Sequence, residues 1–415
     1  MVAGEPGTTP PARDPRTIVH CMLDDFRPAC LKLLLGLLLA APAEGVRADD
    51  AGKPAHAASG ALPAKALADA LPPEKWRQVE NSVDRALAWI ASRQNADGSF
   101  PTAAIGQPAV TSFCILAFLS RGHQPGIGPY GAPLNRAIDF VLECQMPDGL
   151  FSYQTPEAQH VDQHASHAAT YNHAIAGLML GEVYGHVTGQ RAKKARRAIK
   201  KALQYARDLQ VRPKDQIDKG GWRYLRHFDA TDSDLSVTAW QLMFLRSARN
   251  AEFAVPQAWV DEAMDFVHRC WNPEQGVFTY GRTVDGGYFN MSRGLVGAGI
   301  LSLSLGGQHQ TPMAQAAGEW LLAHPYKEFG GRVGVGDRYF YSTYYCSQAA
   351  MQLGGRYWAG IYPPLMESLL SAQSPDGSWP PEPSGWDTAF GNVYTTSMAV
   401  LSLTPPYQLL PVYQR

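Results

Sequence analysis

Two kinds of apolar stretch alternate along the chain from about residue 74 to about residue 405. One kind is amphipathic, as in "WRQVENSVDRALAWIASRQ" (76–94) and "YWAGIYPPLMESLLSAQ" (357–373). The other is apolar almost throughout: "VTSFCILAFLSRG" (110–122), "SVTAWQLMFLRSAR" (236–249), "RGLVGAGILSLSLGG" (293–307), "YYCSQAAMQLGG" (344–355) and "YTTSMAVLSL" (394–403). A helix with one apolar face lies on a surface, and a helix apolar all round is buried. The alternation therefore predicts outer helices paired with inner ones.

Between the members of each pair stands a glycine turn. "QNADGSF" centres on Gly98, "QMPDGLF" on Gly149, "DKGGWRY" on Gly221, "NPEQGVF" on Gly276, "KEFGGRV" on Gly331 and "QSPDGSW" on Gly377. Six units of roughly 55 residues result, a repeat architecture. Glycine supplies a backbone conformation closed to other residues after the outer helix. The following aromatic is expected to pack between neighbouring helices, and the Gln amide to bond carbonyls that tie one unit to the next. Six outer–inner hairpins can close into a ring, so that each unit buries its face against two others. The predicted fold is all-α, a six-hairpin (α/α)6 toroid over residues 74–405, with a C-terminal tail at 406–415. The inner helices should run parallel, so that their N-termini, with free N–H groups and partial positive charge, converge on one rim.

The first residues are different material. "RPACLKLLLGLLLAAPAEGVRADD" (27–50) combines Arg27 and Lys32, a short apolar run and a small-residue exit. Residues 1–48 read as a secretory signal region, with Met22 as an alternative start, and 49–73 as an Ala-, Pro- and Gly-rich linker. The expected location is periplasmic or extracellular, or membrane-anchored if the signal stays uncleaved.

Net charge is −1 and hydrophobic content 45%. Such a balance gives no attraction to nucleic acid and leaves peripheral membrane contact and oligomeric state open. Of six cysteines, Cys21 and Cys30 fall in the signal region. Cys114, Cys144, Cys270 and Cys346 fall in apolar helical stretches with no CxxC, so buried thiols are expected. GxSxG, HExxH and phosphate-loop motifs are absent, as is a Gly-Cys-Gly-Glu-Gln thioester motif.

The Gln-x-x-Asp-Gly-Ser-Trp/Phe repeats, "QNADGSF" and "QSPDGSW" above all, resemble the terpenoid cyclase and protein prenyltransferase superfamily. Its α/α toroid includes squalene–hopene cyclases and prenyltransferase β subunits. The resemblance implies an apolar, isoprenoid-like ligand in a central cavity. It points to "DATDSDLSVTAW" (229–240) at the start of the third inner helix. Prenyltransferase β subunits carry Asp-x-Cys there, and this chain has Asp234-Leu235-Ser236. Their histidine ligand corresponds to Ser342 in "YSTYYC". Hydroxyls hold zinc poorly beside thiolate or imidazole, so no metal and no cofactor are expected, and a zinc-dependent prenyltransferase is disfavoured. Cyclases place Asp-x-Asp-Asp at a helix start, its central acid protonating an alkene. By that resemblance Asp234 is the proton donor and Asp232 its partner, although the last acid of the motif is missing. Helix capping explains both residues equally well.

The implied substrate-binding residues are Tyr171, His173, Trp240, Tyr288, Tyr341, Tyr345, Trp386 and Tyr394, whose faces could stabilise carbocations or simply pack. His160, Asp162, His164 and His167 form a second concentration without a metal signature. The leading function is proton-initiated cyclisation. The alternative is a non-catalytic toroid binding a ligand or a protein. A third reading is a carbohydrate-active (α/α)6 enzyme with facing carboxylates drawn from Asp162, Glu182, Asp234 and Asp337. With no second helical barrel, a complete triterpene cyclase is disfavoured.

Overall fold

A computed structural model describes residues 70–156, 163–228, 231–334, 336–382 and 387–414, all within the unit that runs from Ser59 to Arg415. The expected signal region and nearly all of the expected linker lie outside the described residues. None of the described helices is long and apolar enough to cross a membrane.

Among the described residues the helices are α1 (Pro73–Ser92), α2 (Ala109–Ser120), α3 (Gly131–Glu143), α4 (Gln163–Val183), α5 (Gly189–Val211), α6 (Leu235–Asn250), α7 (Gln257–Arg269), α8 (Arg293–Leu305), α9 (Pro312–Ala323), α10 (Tyr339–Leu353), α11 (Gly355–Leu370) and α12 (Asp387–Leu403). Odd-numbered helices form the outer layer and even-numbered ones the inner. In α1 only Val79, Ser82, Val83, Ala86, Leu87 and Ile90 are buried, one stripe at helical spacing. In α2 every residue is buried. The inner helices pack in order, α2 on α4, α4 on α6, and so on to α12, which returns to α2 and closes the ring.

Turn chemistry is what fastens neighbouring hairpins. Gly98, Gly149, Gly220 and Gly377 all have φ between 83° and 104°. A Cβ on Gly98 would stand 2.4 Å from the Arg136 carbonyl oxygen, and one on Gly377 would stand 2.7 Å from that of Arg85. Glycine is thus required both for its conformation and for its lack of a side chain. The Gln94 amide donates to Gly98 O and to Pro133 O of α3. Gln145 donates to Gly149 O and Ala198 O, Gln210 to Gly220 O and Trp259 O, and Gln373 to Gly377 O and Ser82 O. Each glutamine thereby joins its own turn to a carbonyl within the next outer helix, and Gln373 closes the ring onto α1. The left-handed glycines of the third and fifth turns are Gly220 and Gly330, one residue before the expected Gly221 and Gly331.

Aromatics that follow these turns are buried: Phe100, Phe151, Trp222, Phe278 and Trp379. In three of them the backbone N–H is taken by a threonine of the inner helix: Phe100 N donates to Thr111 Oγ1, Trp222 N to Thr238 Oγ1 and Trp379 N to Thr396 Oγ1. In the second hairpin Phe151 N donates to His173 Nδ1 instead.

Three regions depart from the expected plan. The fourth turn carries an antiparallel sheet of three strands, β1 (Trp271–Asn272), β2 (Val277–Arg282) and β3 (Tyr288–Met291). Helix α12 breaks at Gly391, φ 78°, so Asp387–Phe390 form a separate first turn. The expected tail is packed: short 3-10 turns at Pro405–Tyr407 and Pro411–Tyr413 bury Leu410 and Val412. Val412 N donates to Glu182 Oε2, Gln352 Nε2 to Tyr413 O, and Asn250 Nδ2 to Pro411 O. This segment therefore lies across the C-terminal ends of α4, α6 and α10, at the end of the ring opposite the inner-helix starts.

Candidate active site

The starts of α4, α6 and α10 bring several of the expected residues together. Asp234 is the N-cap of α6: its Oδ1 accepts from Val237 N at 2.8 Å, and its own N–H bonds Trp222 O. The cap expected from the sequence is therefore present. Asp234 Oδ2 also accepts from the Tyr280 hydroxyl at 2.9 Å and stands 3.6 Å from Arg223 Nε. The carboxyl is fully buried, and burial pushes its pKa up to about 6 against the opposing pull of Arg223, the Val237 amide and Tyr280. Arg223 lies under three rings, those of Tyr224, Phe228 and Tyr280, at 4.9–5.5 Å from their centroids. The Tyr224 and Tyr280 hydroxyls meet at 2.9 Å.

Two residues along α6, Ser236 Oγ accepts from both Tyr171 of α4 and Tyr341 of α10, each at 3.0 Å. One turn deeper, Trp240 stacks on Tyr344 with centroids 5.2 Å apart and meets Phe113 and Tyr345 edge-on. Tyr345 also packs on Tyr341, and Tyr394 packs on Phe113. Tyr171, Trp240, Tyr341, Tyr345 and Tyr394 thus form one aromatic group within the ring. Tyr171, Tyr341 and Tyr394 are only half-buried, so part of their surface remains open there.

Other expected residues stand elsewhere. Asp232 is not a partner of Asp234. Its Oδ1 is bonded by Arg212 at 2.5 Å, its Oδ2 by His227 Nδ1 at 3.1 Å, and its N–H by Asp218. It fastens the loop between α5 and α6. His173 is fully buried, with Nδ1 on Phe151 N and Nε2 on Ala202 O; burial pushes its pKa down to about 4. It replaces the threonine of the other turns and joins two hairpins. Tyr288 lies on β3 under Arg282, not at an inner-helix start. Ser342 Oγ donates to Tyr339 O inside its own helix. Trp386, His160 and Asp162 lie outside the described residues, as does the His164 side chain. His167 stacks on Tyr224 at 3.8 Å. Among the described residues no three metal-ligating side chains converge.

Of the other carboxylates expected of a carbohydrate-active site, Asp162 lies outside the described residues, and Glu182 and Asp337 have partners of their own. Glu182 lies at the opposite end of the ring, between Ser247 and Val412, and Asp337 is bonded to Arg293 Nε at 2.7 Å. Arg223 and Tyr280, both beside Asp234, had no signal in the repeat pattern. Arg223 follows the aromatic of an ordinary turn, and Tyr280 belongs to the inserted sheet.

Comparison with known proteins bears on this arrangement. A family model for the prenyltransferase alpha-alpha toroid domain matches residues 55–127 and 130–337. The type II terpene cyclase MstE from Scytonema, in a variant complexed with geranylgeranyl dihydroxybenzoate, is 17% identical. That match covers 82% of this chain and 100% of MstE with a TM-score of 0.51. A GH76 alpha-mannanase from Bacteroides thetaiotaomicron is 10% identical over 83% of this chain and 99% of its own, with a TM-score of 0.56. At such identities both likenesses concern the fold alone. Drimenyl diphosphate synthase from Streptomyces showdoensis is 36% identical over 87 residues, which span 20% of this chain and only 16% of that protein. Repeat, ring and family match agree: the chain belongs to the prenyltransferase alpha-alpha toroid domain family, with a terpene cyclase-like toroid.

Proposed function

We propose that this protein cyclises an isoprenoid or similarly apolar polyene by protonating it, with Asp234 as the proton donor. The observation that carries this reading is a buried carboxyl with a pKa near 6, placed at the head of an aromatic group. A carboxyl whose pKa is raised toward neutrality can act as a general acid. Arg223 and the donating Tyr280 would stabilise the carboxylate left when the proton departs. Tyr171, Tyr341 and Tyr394, which keep open surface, would offer π faces to the cation as it moves along the chain, with Trp240 and Tyr345 packed behind them. The polyene bound by MstE supports the choice of substrate class.

A second reading has its own observation. Both oxygens of Asp234 are already engaged, by Val237 N–H and Tyr280 O–H. A carboxyl occupied as a cap and a hydrogen-bond acceptor would suit a toroid that binds an apolar ligand without reacting with it. The two readings part on one experiment. Purified full-length protein is incubated with geranylgeranyl dihydroxybenzoate, farnesyl diphosphate and squalene, and products are identified by mass spectrometry. Cyclic product from the wild type, with the rate lowered about a hundredfold or more in Asp234→Asn, is the expected result. Bound but unaltered polyene throughout would leave only the binding module.

A further inference from the structure

A second buried acid stands across the ring from Asp234. In the closed order of inner helices, α6 and α12 occupy opposite positions. Adjacent packed helices lie about 8–10 Å apart, so the axes of α6 and α12 are separated by roughly 16–20 Å. Asp234 opens α6, and Asp387 opens α12. Asp387 is 4% exposed. Its Oδ2 has no hydrogen-bond partner among the described residues, nor has either carboxyl oxygen of Glu382, itself 1% exposed. Glu382 is compensated in part by Arg332 at 3.3 Å. A buried carboxyl oxygen left without a donor costs free energy unless something else meets it.

The turn that carries Asp387 is set apart from the rest of α12 and held in place. Gly391 breaks the helix after it. Thr102 Oγ1 donates to Phe390 O, and the Phe390 ring lies against Tyr394. Asp387 is the charge that acts most strongly on the Tyr394 hydroxyl. From Tyr394 the aromatic contacts run through Phe113 to Trp240, two turns along α6 from Asp234. Phe390, Tyr394, Phe113 and Trp240 therefore form one continuous row of rings, with Asp387 three residues before its first member and Asp234 six residues before its last.

We propose that Asp387 is the proton acceptor that ends the cyclisation begun at Asp234. This rests on the cyclase reading above. The chemistry requires such a group. Asp234 gives its proton to a terminal C=C, one carbon gains the C–H bond, and its neighbour becomes a cation. Further C=C pairs add to the cation in turn and move it along the substrate. At the far end a C–H bond beside the last cation breaks, its electron pair forms a new C=C, and the proton goes to Asp387. Product and substrate have the same atoms. Asp387 then returns a proton to solvent while Asp234 takes one up.

Surroundings assign the order. Arg223 and Tyr280 stabilise the anion of Asp234, which favours giving the proton up. At Asp387 burial favours keeping a proton once taken, and the like charge of Glu382 adds to it; together they outweigh the opposing pull of Arg338 and Arg332 and push the pKa to about 7. A surface cleft lined by Trp89, Thr102, Thr388, Phe390 and Asn392 opens beside the turn that carries Asp387.

The test compares wild type, Asp387→Asn, Asp387→Ala and Asp234→Asn with geranylgeranyl dihydroxybenzoate as probe, following both substrate loss and product identity. Circular dichroism and thermal melting establish that each variant is folded. Substrate consumption by the Asp387 variants should stay within about threefold of wild type. The wild-type alkene should fall by about a hundredfold, replaced by water-captured alcohols or double-bond isomers. Asp234→Asn should stop consumption itself. Unchanged products in folded Asp387→Asn and Asp387→Ala overturn the assignment of Asp387 alone. Loss of consumption in the Asp387 variants, with altered products in Asp234→Asn, would reverse the two roles and overturn it too. No turnover by the wild type removes the cyclase reading and this inference with it.

Discussion

At the residue scale, one helix position serves two purposes. Asp234 caps α6, and capping needs only an acceptor oxygen. Asparagine supplies that oxygen, so Asp234→Asn should change stability by less than about 1 kcal/mol while removing the acid. Thermal melting and a turnover assay on the same preparation separate the two contributions. Glu182 is a different case. Its carboxyl lies between Ser247 Oγ at 2.6 Å and Val412 N, and burial pushes its pKa to about 7. Ser247 Oγ also reaches Leu178 O at 3.1 Å. A protonated Glu182 could donate to Ser247, leaving the serine proton for Leu178. The sign of the pH effect follows. The folded pKa lies above the unfolded value of 4.5, so the fold binds the extra proton between them. The stabilisation is complete below pH 4.5, falls as pH rises to about 7, and is lost above, on the order of 3 kcal/mol in all. Glu182→Gln should flatten that slope relative to wild type in melts between pH 5 and pH 8. Parallel slopes would show that Glu182 is ionised in the fold throughout.

At the element scale, the glycine turns and the closing segment can be tested separately. Trp379 is wholly buried, and its indole N–H bonds Leu369 O at 2.8 Å. Trp379→Ala should cost roughly 3–5 kcal/mol, as other buried aromatics do, in chemical denaturation. A change below about 1 kcal/mol would mean that the turn aromatics do not fasten the ring. The C-terminal segment buries Leu410 and Val412 and supplies the amide that bonds Glu182. Deleting residues 405–415 should lower the melting temperature and also abolish the difference in pH slope between wild type and Glu182→Gln, because the carboxyl would then be hydrated. The first, second and sixth turns were legible because their chemistry is local: Gln, Gly and the aromatic lie within seven residues of one another. The closing segment was not. Its short Pro-containing turns carry no helical period, and its value comes from contacts more than sixty residues away.

At the scale of the whole molecule, the alternation of amphipathic and wholly apolar helices was enough to predict the ring, since only closure buries both faces of each inner helix. It could not reveal the three-stranded sheet at the fourth turn, which brings Tyr280 to Asp234. Nor could it separate Asp232 from Asp234. The two carboxylates are only two residues apart in the motif, yet one takes Arg212 at the end of α5 and the other takes Arg223 beside the aromatic of the third turn, and nothing in the repeat assigns these partners. His173 was misread for a related reason: at a position where other hairpins use threonine, imidazole does the same bonding. Asp387 was absent from the expected site because its importance depends on ring closure, which sets the starts of α6 and α12 opposite each other.

The central claim is that a proton from Asp234 enters the substrate, and deuterium oxide tests it most directly. Full-length protein equilibrated in that solvent exchanges the carboxyl proton before each turnover. Incubated with geranylgeranyl dihydroxybenzoate, it should give a cyclic product carrying a single carbon-bound deuterium at the end of the polyene where cyclisation begins, and Asp234→Asn should give none. A cyclic product without carbon-bound deuterium, or the same labelled product at the same rate from Asp234→Asn, would contradict the account.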